Sequence, residues 1–290
     1  MPSDRSAVSG AAVTVVAASP DTNGDGGVLW DDFARRWLAS GAQKVWRRHS
    51  DAVNRRMLER WLPPQADQVL KTDLWDEAVG EGLYPALATR ARRVVGVDIS
   101  TAVISAATAR YPSLEASRAD VRNLQFDDGS FDVVVSNSTL DHFESVDAIQ
   151  TALVELRRVM SKGGTLIVTL DNAANPILAL RGALPRAAFA AVWTHFGELA
   201  ARIAPNALGA TCGIRTLERL VMAAGLRVCE RGAIMHCPRA LAVVVADQLA
   251  RRASASTQER FLRSLLRFEA LAVLPTRFFT GHFVAVRAVR

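Results

Sequence analysis

The sequence predicts an α/β protein built on a mostly parallel sheet with helices on both faces. Strand-like runs alternate with helical patterns through residues 69–170, the signature of crossover connections. Two of the runs, Val133-Val134-Val135 and Leu166-Ile167-Val168, are continuously apolar, as strands covered on both faces must be. A third observation concerns polar residues. Asp76, Asp98, Asp120, Asn137 and Asp171 each fall just past the end of a predicted strand. Ligands of open parallel sheets sit beyond the carboxyl ends of the strands, so these five positions point to one site.

Taken in order, residues 1–27 hold Ser, Pro and the run Asn23-Gly24-Asp25-Gly26-Gly27, which predicts a disordered leader. Ala7–Ser19 behind Arg5 has the outline of a secretory signal but no leucine block. A helical cap is expected over 28–64. Phe33, Trp37, Val45, Trp46, Val53, Met57 and Trp61 recur near helical intervals, Ser40-Gly41 divides the run, and Pro63-Pro64 ends it. That Trp-rich face either packs on the sheet or closes over a ligand. The main domain, 65–290, opens with a strand at 69–75, a helix at 82–91, a strand at 93–98, a helix at 101–110 and strands at 114–119 and 131–136. A helix at 146–160 and a strand at 164–170 follow. Residues 173–215 form an apolar, Pro-punctuated insertion expected over an acceptor pocket. Beyond it come a helix, Thr216–Ala224, stopped by Gly225, and a strand, Leu226–Met235. Helices Arg239–Arg252 and Gln258–Val273 make up an insertion over 239–277, and Gly281–Val289 is the seventh strand.

The stretch Leu74–Ser100 carries the most chemistry. It reads as strand, glycine-bearing turn, helix and strand, ending in Asp98, where a carboxylate can accept both hydroxyls of a ribose. Glycine lets a ligand approach the turn's backbone closely. The dinucleotide pattern G-x-G-x-x-G is absent; the turn reads Asp76-Glu77-Ala78-Val79-Gly80-Glu81-Gly82.

This turn resembles the first motif, D-x-G-x-G-x-G, of the class I S-adenosylmethionine (SAM)-dependent methyltransferases, with Ala78 at the first glycine. Asp98 lies 22 residues beyond Asp76, close to the family's interval, and 25 beyond the earlier acid Asp73, so the spacing favours Asp76. Further segments extend the resemblance over 69–171: Ala119-Asp120-Val121, the turn Phe126–Val135, Ser136–Phe143, and Arg157–Leu166, which is similar to the family's "RVLKPGG" turn with Ser161 in place of proline. The resemblance, nearest to the small-molecule and quinone methyltransferases, implies a Rossmann-like seven-stranded sheet with an antiparallel last strand. It implies SAM as cofactor and S-adenosylhomocysteine as product. Asp76, Glu77, Ala78, Gly80 and Gly82 would hold the cofactor's amino acid end, Asp98 its ribose and Asp120 its adenine amino group, with Ile99 and Val121 also cofactor-binding, while Asn137 would border the methionine end. The apolar insertion and Trp-rich cap suggest a small, fairly apolar or lipid-like acceptor.

A general base is optional, since an acidic acceptor needs little help. His142 is the leading candidate, with Asp141 and Asp171 expected at the same sheet edge; the plainer reading is a histidine that orders its loop. His236 and His195 are alternatives. The three cysteines lack CxxC spacing, so neither a disulfide framework nor a metal site is expected. The net charge of +6 rests almost wholly on arginine, with lysine only at 44, 71 and 162 and no basic block, which argues against a nucleic-acid partner. No apolar run reaches the roughly 18–20 residues of a membrane span, and a cytoplasmic protein is expected. Arg260, Arg263 and Arg267 beside Phe261, Leu262, Leu265, Leu266 and Phe268 read as a packed helix with a solvated side, or else as a membrane-surface or dimer face. Two further readings stay open: a non-catalytic scaffold of the same fold, and a nucleic-acid methyltransferase.

Overall fold

A computed structural model describes residues 30–31, 34–35, 38, 43–183 and 210–290. The leader expected at 1–27, Phe33, Trp37 and His195 lie outside the described residues. Seven strands form one sheet in the order β3-β2-β1-β4-β5-β7-β6. They are β1 (Ala66–Lys71), β2 (Ala91–Asp98), β3 (Glu115–Arg118), β4 (Phe131–Asn137), β5 (Met160–Asp171), β6 (Arg227–Ile234) and β7 (Phe283–Val289). The first five pair in parallel, while β7 runs antiparallel between β5 and β6, as expected.

Alternate residues of each central strand enter different cores. Val69, Val133, Val135 and Ile167 face one layer, built from α1 (Lys44–Trp61), α4 (Thr101–Arg110), α8 (Arg239–Arg252) and α9 (Ala255–Leu266). Leu70, Val134, Leu166 and Val168 face the other, built from α5 (Val146–Val159) and α7 (Ile214–Ala223). In α1 the apolar spacing lays Trp46, Val53, Leu58 and Trp61 on the sheet, all at most 5% exposed. Each such side chain contributes about 1.5–3 kcal/mol by leaving water. Leu262 and Leu265 of α9 are buried likewise, so the basic helix packs with its arginines outward.

The main departure from expectation lies after β1. The strand ends at Lys71, not at residue 75, although Leu74 and Trp75 extend the apolar run. Asp73 turns the chain: its Oδ1 accepts the Trp75 N–H at 2.8 Å, and its carbonyl accepts from Lys71 Nζ. A short helix, α2 (Trp75–Val79), starts there, so Asp76 sits within a helix and not past a strand end. The expected helix at 82–91 is shortened to α3 (Tyr84–Ala88). The predicted 258–273 helix ends at Leu266 and continues as a 3₁₀ stretch, Arg267–Val273. Two smaller helices among the described residues are α6 (Pro176–Ala183) and α10 (Arg277–Thr280), the latter just before β7. Cys212 and Cys237 are buried and Cys229 partly so, all as free thiols.

Lys71 is 1% exposed, and its Nζ lies 2.8 Å from Glu77 Oε2; Glu77 is fully buried. Glu77 Oε1 accepts from Leu83 N at 2.8 Å and Tyr84 N at 3.0 Å, satisfying two of the bare amides that open α3. The turn glycines make room for this arrangement. Gly82 has φ of +65°, and a Cβ there would lie 2.7 Å from the Glu77 carboxyl carbon. A Cβ on Gly80 would lie 2.9 Å from Asp51 Oδ2. The turn is therefore filled by the protein's own carboxylates.

Removing one partner of a buried ion pair strands the other charge, at a cost of about 3–5 kcal/mol. Lys71→Met should lose about that much stability in urea unfolding, and Lys71→Met with Glu77→Gln should recover most of it. Asp51, 1% exposed on α1, accepts from Gly82 N at 3.1 Å through Oδ2. Burial first, then the Asp76 charge, push its carboxyl up to about 7. Between its ordinary value and pH 7 the folded state binds the extra proton, so this group's contribution to stability falls as pH rises. Asp51→Asn should therefore gain melting temperature over the parent between pH 5 and pH 8; a constant difference across that range would contradict the assignment.

Candidate cofactor and acceptor site

A cavity of about 520 Å³ opens at the carboxyl ends of β1, β2 and β4, roofed by α1 and the start of α8. Of the residues singled out in the sequence, Asp76, Asp98, Ile99, Asp120, Val121, Asn137 and His142 line it. Glu77, Ala78, Gly80, Gly82 and Asp171 do not. Asp73, set aside on spacing, lines it too.

One half of the cavity is walled by strand-end carboxylates. Asp98 closes β2, where Oδ2 accepts from Leu74 N at 3.0 Å and Oδ1 from Ser100 N at 2.8 Å. Those two bonds fix the carboxylate's plane. Burial nevertheless raises its carboxyl, outweighing both amides. Burial and then the Asp98 charge hold Asp73 well above the usual carboxylate range. Two like charges at adjacent strand ends resist joint ionisation. A cation placed between them would relieve both. Beyond Asp98 the wall is Ile99, Val103, Val121 and Phe143, a slot with apolar sides. Asp120 stands at its edge with Arg122 Nε 3.0 Å from each carboxylate oxygen; burial would raise its carboxyl, but Arg122 outweighs it and leaves it low.

Asn137 and Asp76 belong to a chain of hydrogen bonds across the cavity floor. Asn137 Oδ1 accepts from Thr169 Oγ1 at 3.0 Å, and its Nδ2 donates to Asp76 Oδ2 at 3.3 Å. Asp76 Oδ1 is 3.1 Å from Arg47 Nη1 of α1. Its charge is thus already matched from the roof.

The histidines separate into different roles. His142 is exposed at the lip, with its ring edge-on to Trp30 at 5.1 Å between centroids. Asp141 does not reach it: that carboxylate is buried and accepts from Ser138 Oγ at 2.8 Å. Asp171 lies 3.4 Å from His282 Nε2. His236 turns away from the cavity, with Nδ1 2.8 Å from Thr280 Oγ1 and Nε2 3.0 Å from the Ala233 carbonyl. Trp30 is held beside the site because the next residue, Asp31, accepts from Thr101 Oγ1 at 2.8 Å and Ala102 N at 3.2 Å.

The opposite half of the cavity is more apolar. Trp46, Trp75, Met235 and Phe283 supply its surface, with Arg47, Asn54 and Arg239 among them. Sequence reasoning missed Arg239 and Met235. Their positions depend on the turn between β6 and α8, where Met235 takes a left-handed φ of 61° rare for its residue type. Glu269 straps that turn, accepting from Met235 N at 3.1 Å and His236 N at 2.9 Å. No local pattern announces a carboxylate that reaches back across more than thirty residues.

Residues 75–168 match the family described as a methyltransferase domain. Among known proteins, the chain is 34% identical to a demethylmenaquinone methyltransferase of Beutenbergia cavernae over 148 residues, covering 48% of this chain and 55% of that one. It is 33% identical to the mouse EEF1A lysine methyltransferase 4 over 128 residues, 39% and 49% of the two chains. The chain spans about half the length of the curated relatives it matches. Among solved structures it is similar to a methyltransferase of Haloferax volcanii complexed with the Trm112 activator, at a TM-score of 0.54 and 19% identity, covering 89% and 97%. A SAM-dependent methyltransferase of Mesorhizobium loti gives 0.51 at 16%, covering 81% and 96%. These two likenesses concern the fold. Residues 75–168 thus carry a methyltransferase domain, and the strand order and the cavity at the strand ends agree with the fold of the SAM-dependent methyltransferases to which it is similar.

Proposed function

We propose that this protein transfers the methyl group of SAM to a small, fairly apolar or lipid-like acceptor. The observation that carries the reading is the division of one cavity into a carboxylate-walled half at the ends of β1 and β2 and an apolar half under α1 and α8. The volume suits a nucleoside cofactor, since ligand sites span about 300–1,000 Å³. The charge suits it as well. Asp73 and Asp98 oppose each other's ionisation with the Lys71 ammonium shared between them, and a sulfonium cofactor with an ammonium group adds positive charge on the cavity side. Asp98 would take the ribose hydroxyls, the slot of Ile99, Val103 and Val121 the adenine, and Asp73 with the Asn137–Asp76 pair the amino acid end. Asp120 at the slot's edge would face the adenine amino group.

When bound, the cofactor supplies an electrophilic methyl group. The chain's own residues then position the acceptor in line and keep water out. Trp46, Trp75, Met235 and Phe283 do this from the acceptor half, and Trp30 covers the lip. Relatives named as demethylmenaquinone methyltransferases support a small-molecule acceptor, whereas the lysine methyltransferase relative carries the same kind of domain toward a protein. The acid-walled cavity speaks against a nucleic-acid acceptor, which needs a basic groove. Among the described residues no helix is long and apolar enough to cross a membrane. A cytoplasmic location goes with the reading, because the cofactor is available there. The scaffold reading draws on one observation, the turn filled by Glu77 where the family's motif has its glycine loop.

Calorimetric titration of S-adenosylhomocysteine into variants tests the residue roles. Hydrogen bonds to a charged group contribute about 1.5–3 kcal/mol each, so Asp98→Asn should weaken binding at least tenfold, and its amide nitrogen, which must face the Leu74 or Ser100 N–H, should also lower the melting temperature. Asp76→Asn should weaken it less, because Arg47 already holds that carboxylate. Parental affinity in Asp98→Asn would refute the ribose assignment.

A further inference from the structure

Arg239 is a guanidinium in the cavity wall whose charge has no direct counter-ion. No carboxylate lies within 4 Å of it among the described residues. Its Nη1 lies 2.6 Å from His282 Nε2, and an arginine can only donate, so that nitrogen accepts and His282 is neutral with its proton on Nδ1. The Nε is buried without a partner, and the guanidinium carbon stands 5.9 Å from the Phe283 ring centroid. Asp171 and Asp141 attract it from beyond 4 Å, Asp171 most strongly, with its Oδ1 3.4 Å from the same His282 Nε2 that Arg239 faces. Arg47, already matched by Asp76, repels it from the roof. Burial depresses its proton affinity, yet arginine stays charged in proteins. Burying a charge with no paired ion is expensive.

The surroundings say what would pair with it. Arg239 is the first residue of α8, on the acceptor half, flanked by Met235, Phe283 and Trp46 and across the cavity from the carboxylates that suit the cofactor. An acceptor that is apolar over most of its surface and bears one oxyanion would cover the aromatic and Met side chains and supply the missing charge. A planar fork of donors favours a planar, two-oxygen group. We propose that Arg239 is the specificity residue for an anionic, carboxylate-bearing apolar acceptor; the assignment rests on the methyltransferase reading above. Arg239 acts there by binding the acceptor, and its position is set by the Glu269 strap on the preceding turn.

The test is a calorimetric titration of the whole protein, with and without saturating S-adenosylhomocysteine, using benzoate, phenylacetate and 2-naphthoate, each beside its neutral amide. At least one carboxylate should bind ten times more tightly than its amide. Arg239→Gln should erase that preference while leaving S-adenosylhomocysteine affinity within twofold. Arg239→Lys, which keeps the charge but not the fork, should retain part of it and guards against a misfolded glutamine variant. No carboxylate preference in the parent, including no binding by any probe, overturns the proposal, as does a preference that survives in Arg239→Gln. Failure of S-adenosylhomocysteine to bind the parent would instead sink the methyltransferase reading, and the two failures are separately visible.

Discussion

A lysine ammonium buried at the end of the central strand organises everything around the site. Lys71 carries a full charge into the sheet's carboxyl edge at 1% exposure, and such a charge must be met at once. Glu77 meets it at 2.8 Å, and Lys71 also donates to the Asp73 carbonyl. Those contacts end β1, turn the chain at Asp73 and start α2 one residue after Leu74. Glu77 can occupy that position only because Gly82 has no side chain. Its second oxygen then opens α3. One ion pair therefore fixes the strand end, two short helices and the placement of Asp73 and Asp76 on the cavity.

From there the charge of the site spreads by hydrogen bonds. Asp76 ties α1 through Arg47 to β4 through Asn137, and Asn137 is held in turn by Thr169 of β5. The roof helix is thus connected to two strand ends through groups that also face the cavity. A ligand touching Asp76 or Asn137 would bear on the seat of α1 directly. The two cavity halves differ in the charge left over: carboxylates beyond the ends of β1 and β2 on one side, and one guanidinium facing the His282 ring on the other.

Much of the architecture was legible in the residues. Alternation and apolar runs placed seven strands, the covered faces of β4 and β5, and Asp98, Asp120 and Asn137 at strand ends, because these features are local and periodic. The end of β1 was not legible. Leu74 and Trp75 continue the apolar run, and the turn at Asp73 is set by a lysine whose partner lies six residues on. The glycines misled for a related reason: spacing suggests room for a ligand, whereas the space at Gly80 and Gly82 is taken by Asp51 and Glu77. Asp51 comes from α1, about thirty residues earlier, so nothing near the turn reveals it. Arg239 and Met235 were hidden because a long-range strap from Glu269 holds their turn.

The central claim is that a cavity walled by Asp73 and Asp98 holds a sulfonium nucleoside even though the turn beside it is filled by the protein's own carboxylates. Calorimetric titration of the full chain with S-adenosylhomocysteine, with NAD as control, tests it most directly. The account predicts one site with a dissociation constant on the order of micromolar, about −8 kcal/mol, and no heat from NAD. Absence of binding for S-adenosylhomocysteine, or equal binding of NAD, would contradict it and bring the scaffold reading forward.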